Sequence, residues 1–215
     1  MSQLEQTVSR YRSLRLSAAA DELTSLLAEA EANEMSYLSF ADRLAEHELI
    51  QRQDKRIRRN RKMAAFPAEK RLEGFDYRHQ TTITKRQVNA LLDFQFIDER
   101  NNLVFIGPPG VGKTHLAIGI GYKAVEAGYR VLFRNALDLV EELELAEMKG
   151  ELKKRVSALA KYDLLIIDEL GYLPMTRQAR YNLFQLINSL YEYRSIILTT
   201  NKDFTSWGEF FHDDN

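Results

Sequence analysis

The segment Gly107-Pro108-Pro109-Gly110-Val111-Gly112-Lys113-Thr114 fits the pattern G-x-x-x-x-G-K-[ST]. Glycines at these positions let backbone N–H groups turn inward around phosphate oxygens without side chains in the way. A helix opening directly after them adds the partial positive charge of its N-terminus. Lys113 would reach the β- and γ-phosphates of a bound nucleotide, and the Thr114 hydroxyl would hold Mg²⁺. His115 closes the expected nucleotide-contacting run. Farther along, the acids Asp168 and Glu169 follow four apolar residues. One carboxylate there can bind the cation, and its neighbour can orient or activate a water for attack on the γ-phosphate. Asp168 suits the metal role and Glu169 that of the base. Asn201, just past the next apolar run, could position the same water. The chemistry implied is hydrolysis of a nucleoside triphosphate, with Glu169, Lys113 and Asn201 as the catalytic set.

A different chemistry is written in the charges. The formal net charge of −1 averages unlike pieces. Residues 1–48 carry 4 basic and 9 acidic side chains, whereas residues 49–72 carry 9 basic and 2 acidic ones. In a helix, Arg52, Lys55, Arg56, Arg59 and Lys62 recur on one face, a cationic stripe about 15 Å long at 1.5 Å per residue. Such a stripe can track the phosphates of double-stranded DNA with salt-dependent, sequence-tolerant affinity. Glu48 and Asp54, each four residues before an arginine, neutralise part of it. A second cluster, Lys149, Lys153, Lys154, Arg155 and Lys161, is a further candidate DNA surface. Competing acids at Glu141, Glu142, Glu144, Glu147 and Glu151 leave a plain surface helix as the other reading.

These residues need elements to hold them. Before Gly74 there is no glycine, and the one proline is Pro67, so the stretch reads as helical. Leu16, Ala19, Ala20, Leu23, Leu26, Leu27 and Ala30 form an amphipathic stripe, with a shorter helix through Leu4, Val8 and Tyr11 before it. A third helix is expected near Ser39, where Ser39-Phe40-Ala41-Asp42 resembles a capping signal, with Phe40, Ala41, Leu44, Ala45 and Leu49 along its inner face. This gives a helical N-terminal domain over 1–66 and a connector over 67–84. Over 85–215, short β-branched runs alternate with helical patterns. Leu103–Ile106, Arg130–Arg134, Asp163–Asp168 and Ser195–Thr200 read as strands. Near-continuous apolar strands separated by helices indicate an α/β fold, a parallel sheet covered on both faces.

Composition removes other classes. Absence of cysteine excludes disulfide scaffolds, cysteine-based zinc sites and thiol catalysis. Four scattered histidines, His47, His79, His115 and His212, argue against a histidine metal site. No apolar run reaches the roughly 18–20 residues that span a bilayer. The N-terminus has no signal-peptide pattern, so the expected location is the cytoplasm, without membrane contact.

Four strings carry a family resemblance. They are the run Gly107 to Ala117; Leu164 through Asp168-Glu169-Leu170-Gly171-Tyr172-Leu173-Pro174; Arg180 to Ile187; and Arg194 to Phe204 followed by Trp207. Together they closely resemble the IstB family, ATP-dependent helpers of bacterial insertion sequences. That family is similar to the DnaC helicase loaders and the DnaA initiator among the AAA+ P-loop NTPases. The resemblance covers essentially the whole chain. It implies that Lys113 and Thr114 are a Walker A pair, Asp168 and Glu169 a Walker B pair, and Asn201 a sensor. It further implies a homo-oligomer assembled with ATP on duplex DNA that recruits or activates a transposase. The family pattern continues beyond Asn215 with an arginine finger, a fifth strand and a sensor arginine, none of which is matched here. The core is therefore expected to be C-terminally truncated, with the strand Leu103–Ile106 exposed as a sheet edge and weak hydrolysis.

Other readings share the phosphate site. A DnaC-like helicase loader would differ in its partner and N-terminal domain. A metabolite kinase would need an acceptor pocket and an arginine-rich lid, and the Asp168-Glu169 pair favours water over an acceptor hydroxyl. A DNA scaffold that holds ATP without efficient turnover is a third class.

Overall fold

A computed structural model describes residues 1–78, 82–171 and 175–203. The chain divides into two compact units, Met1–Arg58 and Arg59–Asn215. The division falls inside a helix rather than at residue 66, where the sequence suggested it.

In the first unit, α1 (Gln3–Ser13) opens with a capping box, the Ser2 hydroxyl accepting from the Glu5 N–H at 3.2 Å. It is followed by α2 (Ser17–Ala32) and the long α3 (Tyr37–Ala64). Ala19, Leu23 and Leu26 of α2 form a small core with Leu44 of α3, flanked by Leu4, Val8 and Tyr11 of α1. The start of α2 carries Leu16, which has no side-chain cap to offer. Glu48 supplies it from α3 instead, its Oε2 accepting the Ala19 N–H at 2.9 Å. The third helix differs from expectation at its start and on its face. It begins at Tyr37, and the Ser36 hydroxyl, not that of Ser39, accepts a helix N–H, that of Ser39 at 3.2 Å. Ala41, Ala45 and Leu49 are exposed, and Leu44 and Glu48 are buried. The capping assignment displaced the start by two residues, and apolar type misidentified the inner face because a buried carboxylate lies on it.

The second unit is built on a parallel sheet ordered β1-β4-β3-β2, comprising β1 (Leu103–Ile106), β2 (Val131–Asn135), β3 (Leu164–Leu170) and β4 (Ser195–Thr200). Between the unit's start and β1 lie the short helices α4 (Lys85–Ala90) and α5 (Gln95–Asp98). On one face, α6 (Lys113–Glu126) packs against β2, β3 and β4. On the other lie α7 (Ala136–Met148), α8 (Leu152–Leu159) and α9 (Arg177–Leu190). Leu132, Leu165, Ile167, Ile196 and Leu198 meet Leu139, Leu143, Leu159, Leu183 and Leu186 in that second layer. Residues alternate along each strand between the two layers, as the two-residue period of a strand requires. Among the described residues β1 pairs with β4 alone and forms the sheet edge, with Val104 and Ile106 about two-fifths exposed.

The stretch expected as a connector is ordered where it is described. Phe66 stacks on Tyr122 of α6, with ring centroids 4.4 Å apart. Glu73 accepts from Lys123 at 2.9 Å, and Leu72 lies over Gly119, where a β-carbon would fall 2.5 Å from its side chain.

Candidate functional site

The phosphate loop runs from the end of β1 into α6. Gly110 and Gly112 adopt φ of +83° and +91°, conformations that favour glycine. Gly112 caps α6 without a side-chain bond, so the first N–H groups of the helix remain available to an anion. A β-carbon on Gly112 would also lie 2.5 Å from the ring of Phe75. Gly107, Pro108, Pro109 and Val111 complete the loop, and the Gly107 N–H donates to the Thr200 carbonyl at 3.2 Å, tying the loop to β4.

Lys113 is buried, its Nζ donating to the carbonyls of Gly107 at 2.7 Å and Pro108 at 2.9 Å. Burial pulls this ammonium below the ordinary lysine range, and the negative charges of Asp168 and Glu169 oppose that pull. Thr114 Oγ1 donates to Asp168 Oδ1 at 2.8 Å, joining the start of α6 to the end of β3. Asp168 is 4% exposed and accepts a second hydroxyl on the same oxygen, from Thr199 at 2.6 Å. Hard oxygen donors converge here, suited to Mg²⁺, which takes one or two carboxylate or hydroxyl oxygens from protein and completes its shell with water and phosphate. Among the described residues no group of three or more His, Asp or Glu is arranged to hold a metal ion on its own.

Glu169 is placed by an irregularity. Between Ile167↔Leu198 and Leu170↔Thr200 the β3–β4 register shifts by one residue, a β-bulge. Glu169 has φ +62°, the left-handed region that non-glycine residues rarely occupy. In a regular strand adjacent side chains point to opposite faces, and a bulge re-aims one of them. Here Asp168 is buried and Glu169 exposed, its Oε2 accepting from Asn135 Nδ2 at 2.9 Å. Asn201 follows β4 directly and is exposed. The Thr114–Asp168–Thr199 chain of hydroxyls and the Asn135–Glu169 bond thus assemble the end of β2, β3, β4 and the loop into one constellation.

The family matching residues 9–215 is described as IstB-like ATP binding protein. The chain belongs to the IstB-like ATP-binding family. This IstB-like chain is 40% identical over 200 residues to the ATP-binding protein of insertion sequence IS5376 of Geobacillus stearothermophilus, spanning 93% of this chain and 80% of the relative. It is 40% identical over 213 residues to the ATP-binding protein of insertion sequence IS21 of Pseudomonas aeruginosa, spanning 99% and 79%. Among solved structures, AMPPCP-bound DnaA from Aquifex aeolicus aligns with TM-score 0.54 and 25% identity, over 64% of this chain and 43% of that one. A DnaA bound to AMPPCP and single-stranded DNA aligns with TM-score 0.52 and 26% identity, over 62% and 42%. The IstB-like chain therefore spans about two-fifths of each DnaA and shares the AAA+ P-loop fold.

Not every residue singled out from the sequence of this IstB-like chain stands where expected. The His115 ring is engaged with the preceding segment, its Nε2 2.8 Å from the Arg71 carbonyl and its ring edge-on to Phe75. Lys55, Arg56, Arg59 and Lys62 are exposed on α3, as the helical stripe requires. Arg52 is spent: it donates to Glu48 Oε1 at 2.6 Å and to the Arg15 carbonyl at 2.5 Å. In the second cluster Lys149 and Lys153 are exposed, and Lys154 pairs with Glu151 at 3.1 Å. Arg155 turns inward to pair with Glu142, which also binds Arg134 at 3.2 Å. Burial lowers the pKa of that guanidinium, and the neighbouring charge of Arg134 adds to the effect. Tyr172, Leu173, Pro174, Phe204 and Trp207 of the resemblance strings, and His79 and His212, lie outside the described residues.

Two site residues escaped the sequence reading of the IstB-like chain, Asn135 and Thr199. Asn135 ends a strand and begins a helix, a capping position that hides a second use of its amide. Thr199 sits in an apolar strand, where a β-branched residue is unremarkable.

Proposed function

We propose that this chain is an ATP-dependent DNA-binding helper of transposition. In this reading it hydrolyses ATP, assembles as a homo-oligomer on double-stranded DNA in its ATP state, and recruits or activates a partner transposase. The observation that carries the ATPase part is the 2.8 Å bond from Thr114 Oγ1 to Asp168 Oδ1, which joins two segments 54 residues apart at the mouth of the phosphate loop. Loop N–H groups and Lys113 bind and orient the phosphates. Thr114 and Asp168 would hold Mg²⁺, which when bound supplies charge neutralisation on the phosphate oxygens. Glu169 accepts the proton of the attacking water, and Asn201 lies at the strand end nearest that task. The DNA part rests on the exposed cations Lys55, Arg56, Arg59 and Lys62, with Lys149, Lys153 and Lys154 as a second surface. A solved DnaA holds both AMPPCP and single-stranded DNA, and relatives are ATP-binding proteins of insertion sequences. These support the same pairing of ligands for this chain. Among the described residues no helix is long and apolar enough to cross a membrane.

The test is sizing the protein with and without duplex DNA, in ATP and in ADP, with phosphate release followed in parallel. The expected result is a larger, DNA-dependent species in ATP that shrinks in ADP. A single size in all four conditions overturns the assembly reading, and no phosphate release in any of them overturns the ATPase reading.

A further inference from the structure

The bulge that sets Glu169 apart from Asp168 needs a partner, and the register names it. Across the shift, β3 places Asp168 and Glu169 opposite a single residue of β4, Thr199. Its side chain is in a fully buried position, 0% exposed, directly after the apolar run Ile196–Leu198. A valine would occupy nearly the same volume and bury no hydroxyl. The hydroxyl has two uses, and both fall on the same pair of acids. Its proton goes to Asp168 Oδ1 at 2.6 Å, and its lone pair accepts the Glu169 N–H at 2.9 Å. That N–H is the donor the bulge removes from the regular ladder. The next hydroxyl on the strand closes the far side, Thr200 Oγ1 donating to the Leu170 carbonyl at 2.7 Å. The left-handed backbone at Glu169 is thus bracketed by two buried threonines, as a strained conformation requires if it is to persist.

We propose that Thr199 is the positioning residue of this site, holding the Asp168 carboxylate and the Glu169 backbone in one arrangement through a single hydroxyl. The proposal rests on the ATPase reading for its kinetic consequence and on the bulge for its structural one. Thr199 is fully buried and acts through the two acids. Loss of the hydroxyl frees the Glu169 amide, lets the bulge relax toward regular strand geometry, and turns the Glu169 carboxylate away from the mouth of the loop. Phosphate binding by the loop and Lys113 does not pass through this contact.

The experiment compares the full chain with its Thr199→Val and Thr199→Ser variants. Three quantities are read: amide hydrogen exchange at Glu169, affinity for a fluorescent ATP analogue with Mg²⁺, and turnover at saturating ATP. In Thr199→Val the Glu169 amide should exchange at least about tenfold faster, with β2 amides unchanged. Turnover should fall by about thirtyfold or more, the scale of a misplaced reacting group, while affinity changes less than about threefold. Thr199→Ser, which keeps the hydroxyl, should restore both exchange and turnover. Equal exchange at Glu169 in the valine variant and the wild type overturns the proposal. So does a valine variant whose turnover, affinity and global exchange all deteriorate together, which marks a merely structural residue. A wild-type protein without turnover refutes the ATPase reading, and the exchange data still decide whether Thr199 holds the bulge.

Discussion

Asn135 and Glu169 are joined by one hydrogen bond, Nδ2 to Oε2 at 2.9 Å, while Asn135 Oδ1 accepts the Leu137 N–H at 3.0 Å. One side chain therefore caps α7 and holds the expected base. While Oε2 accepts from Asn135, one of its lone pairs is taken and the direction of the whole carboxylate is fixed. Asn135→Ser keeps a capping oxygen but is too short to reach Glu169. Its expected outcome is a protein whose thermal stability falls by less than about 1 kcal/mol, since serine and asparagine cap comparably. Basal ATP turnover should rise severalfold. An unchanged rate in a phosphate-release assay would show that the bond does not restrain Glu169.

Lys113→Ala removes an ammonium from the phosphate loop, and binding of a fluorescent ATP analogue should weaken by about thirty- to hundredfold, the scale of a lost charge-assisted bond. Glu169→Gln should behave differently. It keeps affinity within about threefold and lowers turnover by about 10²–10³, the usual contribution of a general base. Near-normal turnover in the glutamine variant removes Glu169 from the role of base.

Charge reversal at Arg56, Arg59 and Lys62 should weaken duplex DNA binding to a similar degree across unrelated sequences and flatten its salt dependence by about one unit of slope per lost phosphate contact. Arg52→Ala, by contrast, should leave DNA affinity nearly unchanged and lower stability, because that guanidinium is engaged with Glu48 and the Arg15 carbonyl. Filter binding over a salt series, beside thermal melts, separates the two effects. Equal losses of DNA affinity in both variants would place Arg52 on the binding face.

Glu48 links stability to acid. Burial alone would raise its pKa, but the Ala19 N–H and the Arg52 guanidinium outweigh burial and hold the carboxyl below the ordinary glutamate value. In the unfolded chain it titrates near the ordinary value, about 4.3, so the unfolded state binds more protons in the interval below that. The stabilisation is present above about pH 4.3 and is lost as pH falls through the lower, folded value. Glu48→Gln should cost about 1–3 kcal/mol at pH 7, leaving donors facing donors at the start of α2. It should also flatten the acid limb of melting temperature against pH. A parallel acid limb in wild type and variant sinks this account.

How much of this was legible beforehand varies with the kind of signal. The strands were readable because apolar β-branched runs between helical patterns admit few other interpretations, and β1 and β4 span the residues expected. The meeting of Thr114 with Asp168 was legible because the phosphate loop is a local motif and a pair of acids closing an apolar strand is another. Thr199 was not, because its role arises from a register shift between strands distant in sequence. The pairing of Glu48 with Arg52 was expected and is present, but the inward placement of Glu48 and of Arg155 was not legible. Charged type reads as solvent-facing, yet one caps a distant helix and the other is drawn in by Glu142. The inner face of α3 failed likewise, since alanine and leucine are tolerated outside a core as readily as in it.

The stretch from Phe66 to Phe75 lies on α6 and the phosphate loop at successive points: Phe66 on Tyr122, Leu72 on Gly119, the Arg71 carbonyl on His115, and Phe75 on Gly112. A loop that tilts when a phosphate arrives or leaves must carry the Phe75 ring with it, because the two are in van der Waals contact across a missing β-carbon. The floor of the phosphate loop is thus the segment that leaves α3, so a side chain added at Gly112 meets that segment before it meets any ligand.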